Sequence, residues 1–209
     1  MTDTSLANAL VESGALKFGK FTIKSGIISP YYLDLTCLLS SPQAFECVVD
    51  AVVDDIRTIR ASQNVDKLAS IALKGALLIP SIANKLDLPC VVVRKERKRY
   101  GVTGRIAGGE IEQGEHVLFF DDVVSSGQSK LEGIKPLEQL GVKVDIVLVV
   151  VDREQGGREN IERQGYQFHA LATISELVKS LLRTHDLSKR EAELITDYIK
   201  NPKNYEVKE

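Results

Sequence analysis

The chain has 209 residues, 44% hydrophobic and 27% charged, the balance of an ordinary globular protein with one core and a small appendage. A net charge of −2 gives no global reason to expect a nucleic acid or a membrane surface as partner. No apolar run approaches the roughly 20 residues of a spanning helix, and the first residues lack a secretory pattern, so a cytoplasmic protein is expected. Cys37, Cys47 and Cys90 are odd in number and set among apolar residues, which points to buried free thiols. His116, His169 and His185 share no ligand spacing, which argues against a transition-metal site.

Residues 6–11 read as a short helix stopped near Gly14, and residues 15–23 alternate around Gly19 as a hairpin. The next loop carries Lys24, Gly26 and the adjacent Tyr31 and Tyr32. On its own it reads as a hairpin connection with both rings half-buried. Ser41-Pro42 supplies an N-cap and first-turn proline for a core-facing helix, whose apolar residues recur at helical spacing from Phe45 to Ile59.

Residues 68–73 are the first core strand, leading into Lys74-Gly75 and a helix through residue 86. A glycine directly after a strand permits close backbone approach. Lys74 beside it is either a charge for a phosphate or a solvated lysine at a strand end. Residues 90–93 form the next strand, followed by Arg94-Lys95-Glu96-Arg97-Lys98-Arg99-Tyr100-Gly101 and further glycines at 104, 108 and 109. Such a charge run is commonly a solvated face, and nucleic-acid contact is the second reading, although no basic surface elsewhere in the sequence extends it. A lid closing over a polyphosphate needs the same mixture of cations and glycine, and the anion site on the following strand favours the lid. The glycines are expected to exclude both a stiff helix and a good strand here.

Residues 117–129 organise the chain. Four apolar residues lead into Asp121-Asp122, then Val123-Val124, then Ser125-Ser126-Gly127-Gln128-Ser129. That is the pattern of a buried parallel strand with paired carboxylates at its carboxyl end, followed by a turn that opens a helix. Free N–H groups and the dipole at a helix amino terminus attract anions, phosphate above all. The acids before it suit sugar hydroxyls, or the water shell of a magnesium ion beside the phosphate. The bland alternative is a strand ending in solvated acids and a Ser/Gly turn.

The following helix is expected over residues 129–140, closed at Gly141 and kinked or shortened by Pro136. Residues 146–151 are the most apolar strand and end in Asp152-Arg153-Glu154-Gln155-Gly156-Gly157; residues 167–171 give another. Thr173 with Glu176, and Ser188 with Glu191, are capping boxes that open two C-terminal helices, and the tail after Pro202 reads as frayed.

Strands near 68, 90, 117, 146 and 167 alternate with helices, so the chain is α/β, with a mainly parallel central sheet flanked by helices. Ligand crevices in such sheets lie beyond the carboxyl ends of the strands. Four successive strands deliver Lys74-Gly75, Arg94-Lys95, Asp121-Asp122 and Asp152-Arg153 there, which points to one crevice for a phosphorylated sugar. A dinucleotide-binding dehydrogenase is disfavoured, because no G-x-G-x-x-G follows the first core strand.

The strand, Asp-Asp, two apolar residues and Ser-Ser-Gly-x-Ser together resemble the phosphoribosyl-diphosphate (PRPP) motif of the type I phosphoribosyltransferases. From Phe21 to about Leu182 the chain is similar to the orotate phosphoribosyltransferases. The resemblance is carried by Lys24-Ser-Gly-x-x-Ser-Pro-Tyr31-Tyr32, by Arg94-Lys95-x-x-Lys98, and by the loop at 152–157, which is closest to the transferase domain of eukaryotic UMP synthase. It implies a type I phosphoribosyltransferase fold in one domain over 1–209 with no decarboxylase: a hood and base-pocket segment over about 1–40, the PRPP-binding sheet over about 65–172, and C-terminal helices over about 173–209.

The activity implied is magnesium-dependent transfer of phosphoribose from PRPP to orotate, giving orotidine 5′-monophosphate and diphosphate in UMP biosynthesis. The implied assembly is a homodimer with a lid lysine, best matched by Lys98, reaching the neighbouring site. PRPP would be held by Lys74, Arg94, Lys95, Lys98, Asp121 and Asp122, and by Val123, Val124, Ser125, Ser126, Gly127, Gln128 and Ser129. Orotate would meet Lys24, Tyr31, Tyr32, Ser125 and Arg153, while Lys98, Asp121 and Asp122 carry the catalysis. Magnesium would have no direct protein ligand, being held mainly by PRPP, with Asp121 and Asp122 touching its waters. Three departures stand out: Tyr100 where many bacterial members have histidine, Ser125 for the commoner threonine, and an imperfect diphosphate loop over 74–80. The alternatives are a type I phosphoribosyltransferase for another base and a non-catalytic PRPP-sensing regulator. The full cationic lid argues against the regulator, which has no leaving group to stabilise.

Overall fold

The computed structural model describes residues 3–23, 26–98 and 104–201. The chain divides into two compact units, Met1–Val48 with Ala172–Glu209, and Val49–Leu171.

The first unit opens with α1 (Asp3–Glu12), followed by strands β1 (Leu16–Thr22) and β2 (Ile28–Leu33), which pair antiparallel. The expected hairpin around Gly19 is corrected. Residues 16–22 are a single strand, its register shifts between Phe18 and Phe21, and the chain turns between Thr22 and Ile28. A glycine inside a strand marks a bulge as readily as a turn, and alternation alone does not separate the two. A 3-10 turn (Leu35–Ser40) then leads into α2 (Pro42–Arg60), which begins in this unit and runs into the next.

The second unit holds β3 (Lys67–Ile71), a 3-10 turn (Gly75–Leu77), α3 (Ile79–Leu86), β4 (Cys90–Lys98), β5 (Gly104–Ala107), β6 (His116–Val124), α4 (Gln128–Glu138), β7 (Lys143–Asp152) and α5 (Gly157–Arg163). With β8 (Gln167–Thr173) the strands form one sheet in the order β5-β4-β3-β6-β7-β8. β3 pairs parallel with β4 and β6, and β6 pairs parallel with β7, while β5 pairs antiparallel with β4. Every residue of β3 is buried, because the central strand of a doubly covered sheet has no solvent face. One face packs Ala69, Ile71, Val93, Phe119, Val147 and Val149 against Ile134, Leu137 and Ile161 of α4 and α5. Alternation sends Leu68, Leu118, Phe120 and Leu148 to the other face, where they are also buried, and α3 packs on β3 and β4.

Two expectations here need correction. The strand that begins at Cys90 runs on to Lys98, and residues 104–107 are a strand paired with it, so the described parts of the lid segment are hairpin arms. Edge-strand hydrogen bonds outweigh the low strand propensity of the glycines and charges. The helix carrying Pro136 ends at Glu138, two residues before the expected end. Its last turn closes through Leu140 N–H to the Leu137 carbonyl at 2.9 Å and Gly141 N–H to the Glu138 carbonyl at 2.9 Å.

The last helices, α6 (Ile174–Arg183) and α7 (Lys189–Lys200), return to the first unit, each opened by the expected capping box. α6 packs on α1, and α7 packs on α6 and β2. The N-terminal segment and the C-terminal helices are thus parts of one packed body. Among the described residues no helix is long and apolar enough to cross a membrane. The three cysteines are free thiols, half-buried where full burial was expected.

Candidate active site at the carboxyl ends of the central strands

β3, β4 and β6 are neighbours that point the same way, so the segments leaving their carboxyl ends must meet. They enclose a cavity of about 170 Å³ lined by Ile71, Ala72, Leu73, Lys74, Lys95, Asp121, Asp122, Ser129 and Lys130. Five of the sequence-predicted site residues are therefore brought together: Lys74, Lys95, Asp121, Asp122 and Ser129. The turn at Gly75 lies hard against β6. A Cβ there would fall on Oδ1 of Asp121, 2.5 Å from Ser70 Oγ and 2.8 Å from the Asp121 Cα, so only glycine lets the turn sit this close.

β4 distributes its first two cations to opposite faces. Lys95 shares the parity of the buried Val91 and Val93 and lines the cavity, being exposed to solvent there. Arg94 faces the other way, and its guanidinium donates to the carbonyls of Gly104 at 3.4 Å and Ile106 at 3.3 Å. The structure therefore does not bring Arg94 into the cavity. The side chain of Lys98 lies outside the described residues, as do Lys24 and Tyr100.

β6 carries the acids inward. Asp121 is 4% exposed and Asp122 5%, at the carboxyl end of the buried strand where the sequence placed them, so the bland alternative of solvated acids does not hold. Burial, then the neighbouring Asp121 charge, pushes the Asp122 carboxyl up to about 7, against the opposing effects of Lys130, the Val123 N–H and Lys74. Two buried carboxylates side by side cannot both ionise cheaply unless a cation joins them. That cation is Lys130, itself 6% exposed, with Nζ 2.7 Å from Asp121 Oδ2. Sequence reasoning missed it, although Lys130 occupies the first position of the stripe Lys130, Gly133, Ile134, Leu137, the buried i, i+3, i+4, i+7 face of α4. A lysine on a core-facing stripe is the signal that could have found it.

Beyond the acids, Ser125, Ser126, Gln128 and Ser129 are exposed around Gly127, the left-handed N-cap of α4 (φ 79°). The loop after β7 braces this turn. Arg153 N–H donates to the Val124 carbonyl at 3.0 Å, and Asn160 Nδ2 donates to the Ser126 carbonyl at 3.0 Å. A Cβ on Gly157 would come within 2.5 Å of the Ser125 carbonyl oxygen. Asp152 is absorbed into its own loop. It accepts the Glu154 N–H at 2.8 Å and lies 3.7 Å from Arg158, and burial raises its carboxyl above the usual range. Of the adjacent tyrosines in the first unit, Tyr31 is fully buried, edge-on to Tyr198 with centroids 5.8 Å apart. Tyr32 is 41% exposed and lies 5.6 Å from the Phe21 ring, so only Tyr32 offers a face to a ligand.

Among the described residues no cluster of three or more His, Cys, Asp or Glu side chains is arranged to hold a metal ion. Two carboxylates, one already bound to an ammonium, suit the outer waters of a magnesium ion carried by a phosphate ligand better than direct coordination.

An exposed Ser/Gly turn, a diacid and three lysines meet at the ends of parallel strands, the arrangement expected of a phosphoribosyltransferase. The family model of the phosphoribosyl transferase domain matches residues 38–165. The chain is 34% identical to an orotate phosphoribosyltransferase of Pyrococcus horikoshii over 175 residues, covering 84% of this chain and 92% of that protein. It is 33% identical to the uridine 5′-monophosphate synthase of Bos taurus over 195 residues, covering 93% of this chain and 40% of that protein. The solved structure of Leishmania donovani UMP synthase matches with a TM-score of 0.84 at 28% identity, over 96% of this chain and 43% of the other. An orotate phosphoribosyltransferase from Aeropyrum pernix matches with a TM-score of 0.72 at 27% identity, over 88% and 99%. The chain spans about two fifths of the UMP synthases and nearly the whole of the single-domain relatives. It belongs to the orotate phosphoribosyltransferases, a family of pentosyltransferases of pyrimidine biosynthesis.

Proposed function

We propose that this chain transfers the phosphoribosyl group of PRPP to a ring nitrogen of orotate, giving orotidine 5′-monophosphate and diphosphate. The observation that carries the proposal is the single cavity shared by Lys74, Lys95, the buried diacid and the first turn of α4. Bond breaking at the anomeric carbon moves negative charge onto the departing diphosphate, and Lys74 and Lys95 stabilise it there. Magnesium, when bound with PRPP, adds positive charge on that diphosphate. Asp122 accepts hydrogen bonds from the ribose hydroxyls. Ser125 to Ser129 hold the 5′-phosphate at the amino terminus of α4, and this remote binding fixes the reacting carbon. Orotate recognition falls to Lys24 and Arg153 for its anionic and carbonyl oxygens, and to Tyr32 for its flat face. No covalent nucleophile is needed.

The test is to supply PRPP and magnesium with orotate, uracil, adenine or hypoxanthine separately and measure diphosphate release. Release with orotate alone is expected; release with a purine, or none with orotate, would overturn the assignment. The protein works as a cytoplasmic homodimer in which Lys98 serves the neighbouring site. Hybrids of Lys98→Ala and Asp122→Asn subunits should then recover part of the activity that each homodimer lacks, and hybrids with none would exclude sharing.

A further inference from the structure

Lys130 is placed where a helix facing a core ordinarily carries an apolar side chain, and its ammonium is fully engaged. Nζ lies 2.7 Å from Asp121 Oδ2, donates to the Val123 carbonyl at 2.5 Å and approaches Ser129 Oγ at 3.4 Å. Three donors therefore meet three acceptors, drawn from the end of β6 and the first turn of α4. The partner carboxylate is equally committed, since Asp121 Oδ1 accepts the Asp122 N–H at 3.0 Å and abuts Gly75. The two acids are thus unlike. Asp121 has each oxygen spoken for inside the protein, and its immediate neighbour lines the same cavity without that ion pair.

We infer that Lys130 is a positioning residue that divides the diacid. It binds Asp121 as a fixed internal counter-charge, clamps the β6–α4 junction around the phosphate turn, and leaves Asp122 to receive the ribose of PRPP. The inference deepens the proposed function and rests on it for the identity of the ligand. It assigns PRPP binding, rather than base binding, as the step that depends on Lys130. Loss of the ammonium leaves the Asp121 charge buried and unpaired, and the carboxylate must then turn toward the cavity or take a proton. Either result spoils the sugar site. Removing the Asp121 charge as well relieves that frustration, so the two substitutions together should do less harm than Lys130→Met alone.

The experiment measures PRPP binding by calorimetry in the presence of magnesium and the absence of orotate, together with KM for each substrate, kcat and thermal unfolding. The variants are Lys130→Met, Asp121→Asn, Asp122→Asn and Lys130→Met/Asp121→Asn. Lys130→Met should weaken PRPP binding by about tenfold or more while the KM for orotate stays within about twofold, and the double variant should regain about threefold or more. Asp122→Asn should weaken PRPP binding about tenfold more than Asp121→Asn. Unaltered PRPP affinity in Lys130→Met, a double variant no better than the single, or equal losses from the two Asn variants would overturn the inference. Should Lys130→Met fail to fold, the comparison of the two Asn variants decides alone. PRPP binding by the unsubstituted protein without turnover of orotate would defeat the base assignment only, and the ranking of the variants would still decide the role of Lys130.

Discussion

At Gly75 the lack of one carbon decides how close the turn after β3 can come to the Asp121 end of β6. The side-chain oxygens that a Cβ would strike can rotate, but the Asp121 Cα, 2.8 Å from it, belongs to a central strand and cannot. Gly75→Ala should therefore cost about 1–3 kcal/mol of stability and weaken PRPP binding, as overpacking at a rigid contact does. Urea unfolding and calorimetry check this, and unchanged values in both would show that the turn yields freely. The sequence singled out Gly75 as a place of close approach but not what it approaches, because the partner lies on a strand far along the chain. The neighbouring cations separate by parity. Lys95→Ala, on the cavity side of β4, should lower kcat roughly a hundredfold, the loss of one charge-stabilising donor. Arg94→Ala, whose guanidinium is bound to the carbonyls of β5, should lower it less than about tenfold, through a loosened hairpin. Steady-state kinetics that reverse this order would put Arg94 at the leaving group.

The elements that were clearest in the sequence are those whose signals are local. The capping boxes at Thr173 and Ser188, the stripe of α2 and the apolar runs of β6 and β7 all formed as read, since their hydrogen bonds and periodicity lie within a few residues. Those that were misread depend on partners elsewhere. β5 is a strand because β4 is beside it, and Gly19 is a bulge because β2 pairs on both sides of it. The α7 box can be tested directly. Ser188 Oγ accepts the Glu191 N–H at 3.3 Å, and the Glu191 carboxylate accepts the Ser188 N–H at 3.0 Å. The side-chain and then the backbone hydrogen bonds from Ser188 hold the Glu191 carboxyl below its ordinary value of 4.5. A carboxyl lowered in the folded state stabilises it above the ordinary value and loses that effect as pH falls through the lowered one. Ser188→Ala should cost about 1 kcal/mol at neutral pH, and the gap between variant and parent should shrink as pH falls below about 4. Thermal melts from neutral to acid pH measure it, and a gap that is constant with pH would mean that Glu191 takes no part in the cap.

Over the whole molecule, the parallel sheet and five of the six polar residues that line its cavity were legible, all but Lys130, because a strand's carboxyl end is marked by an abrupt change from apolar to polar residues. The interior of the site was not. That Asp121 and Asp122 are buried, that Lys130 neutralises one of them, and that Tyr31 belongs to a core follow from packing that no single stretch encodes. The buried diacid has a consequence for global stability. In the unfolded chain Asp122 ionises at about 3.8, and in the folded protein at about 7, so between these values the folded state holds a proton that the unfolded state has released. Folding is then favoured by acid across this window, and stability declines as pH rises through about 7 and the buried carboxylate becomes charged beside its neighbour. For the ligand-free protein the unfolding free energy attributable to this group should drop between pH 5 and pH 8 by on the order of 1–3 kcal/mol, less than an isolated buried acid would give because Lys130 and Lys74 oppose the shift. Asp122→Asn should abolish this slope and, at pH 8, exceed the parent in stability while binding PRPP poorly, the trade expected where an active site keeps a charge in an unfavourable place. Urea unfolding of both proteins at each pH isolates the contribution, because the other raised carboxyls, Asp55 and Asp152, are common to both and cancel in the difference. If the asparagine variant were the less stable protein at pH 8, the carboxylate would be a net stabiliser of the fold, and its burial would need another cause than ligand binding.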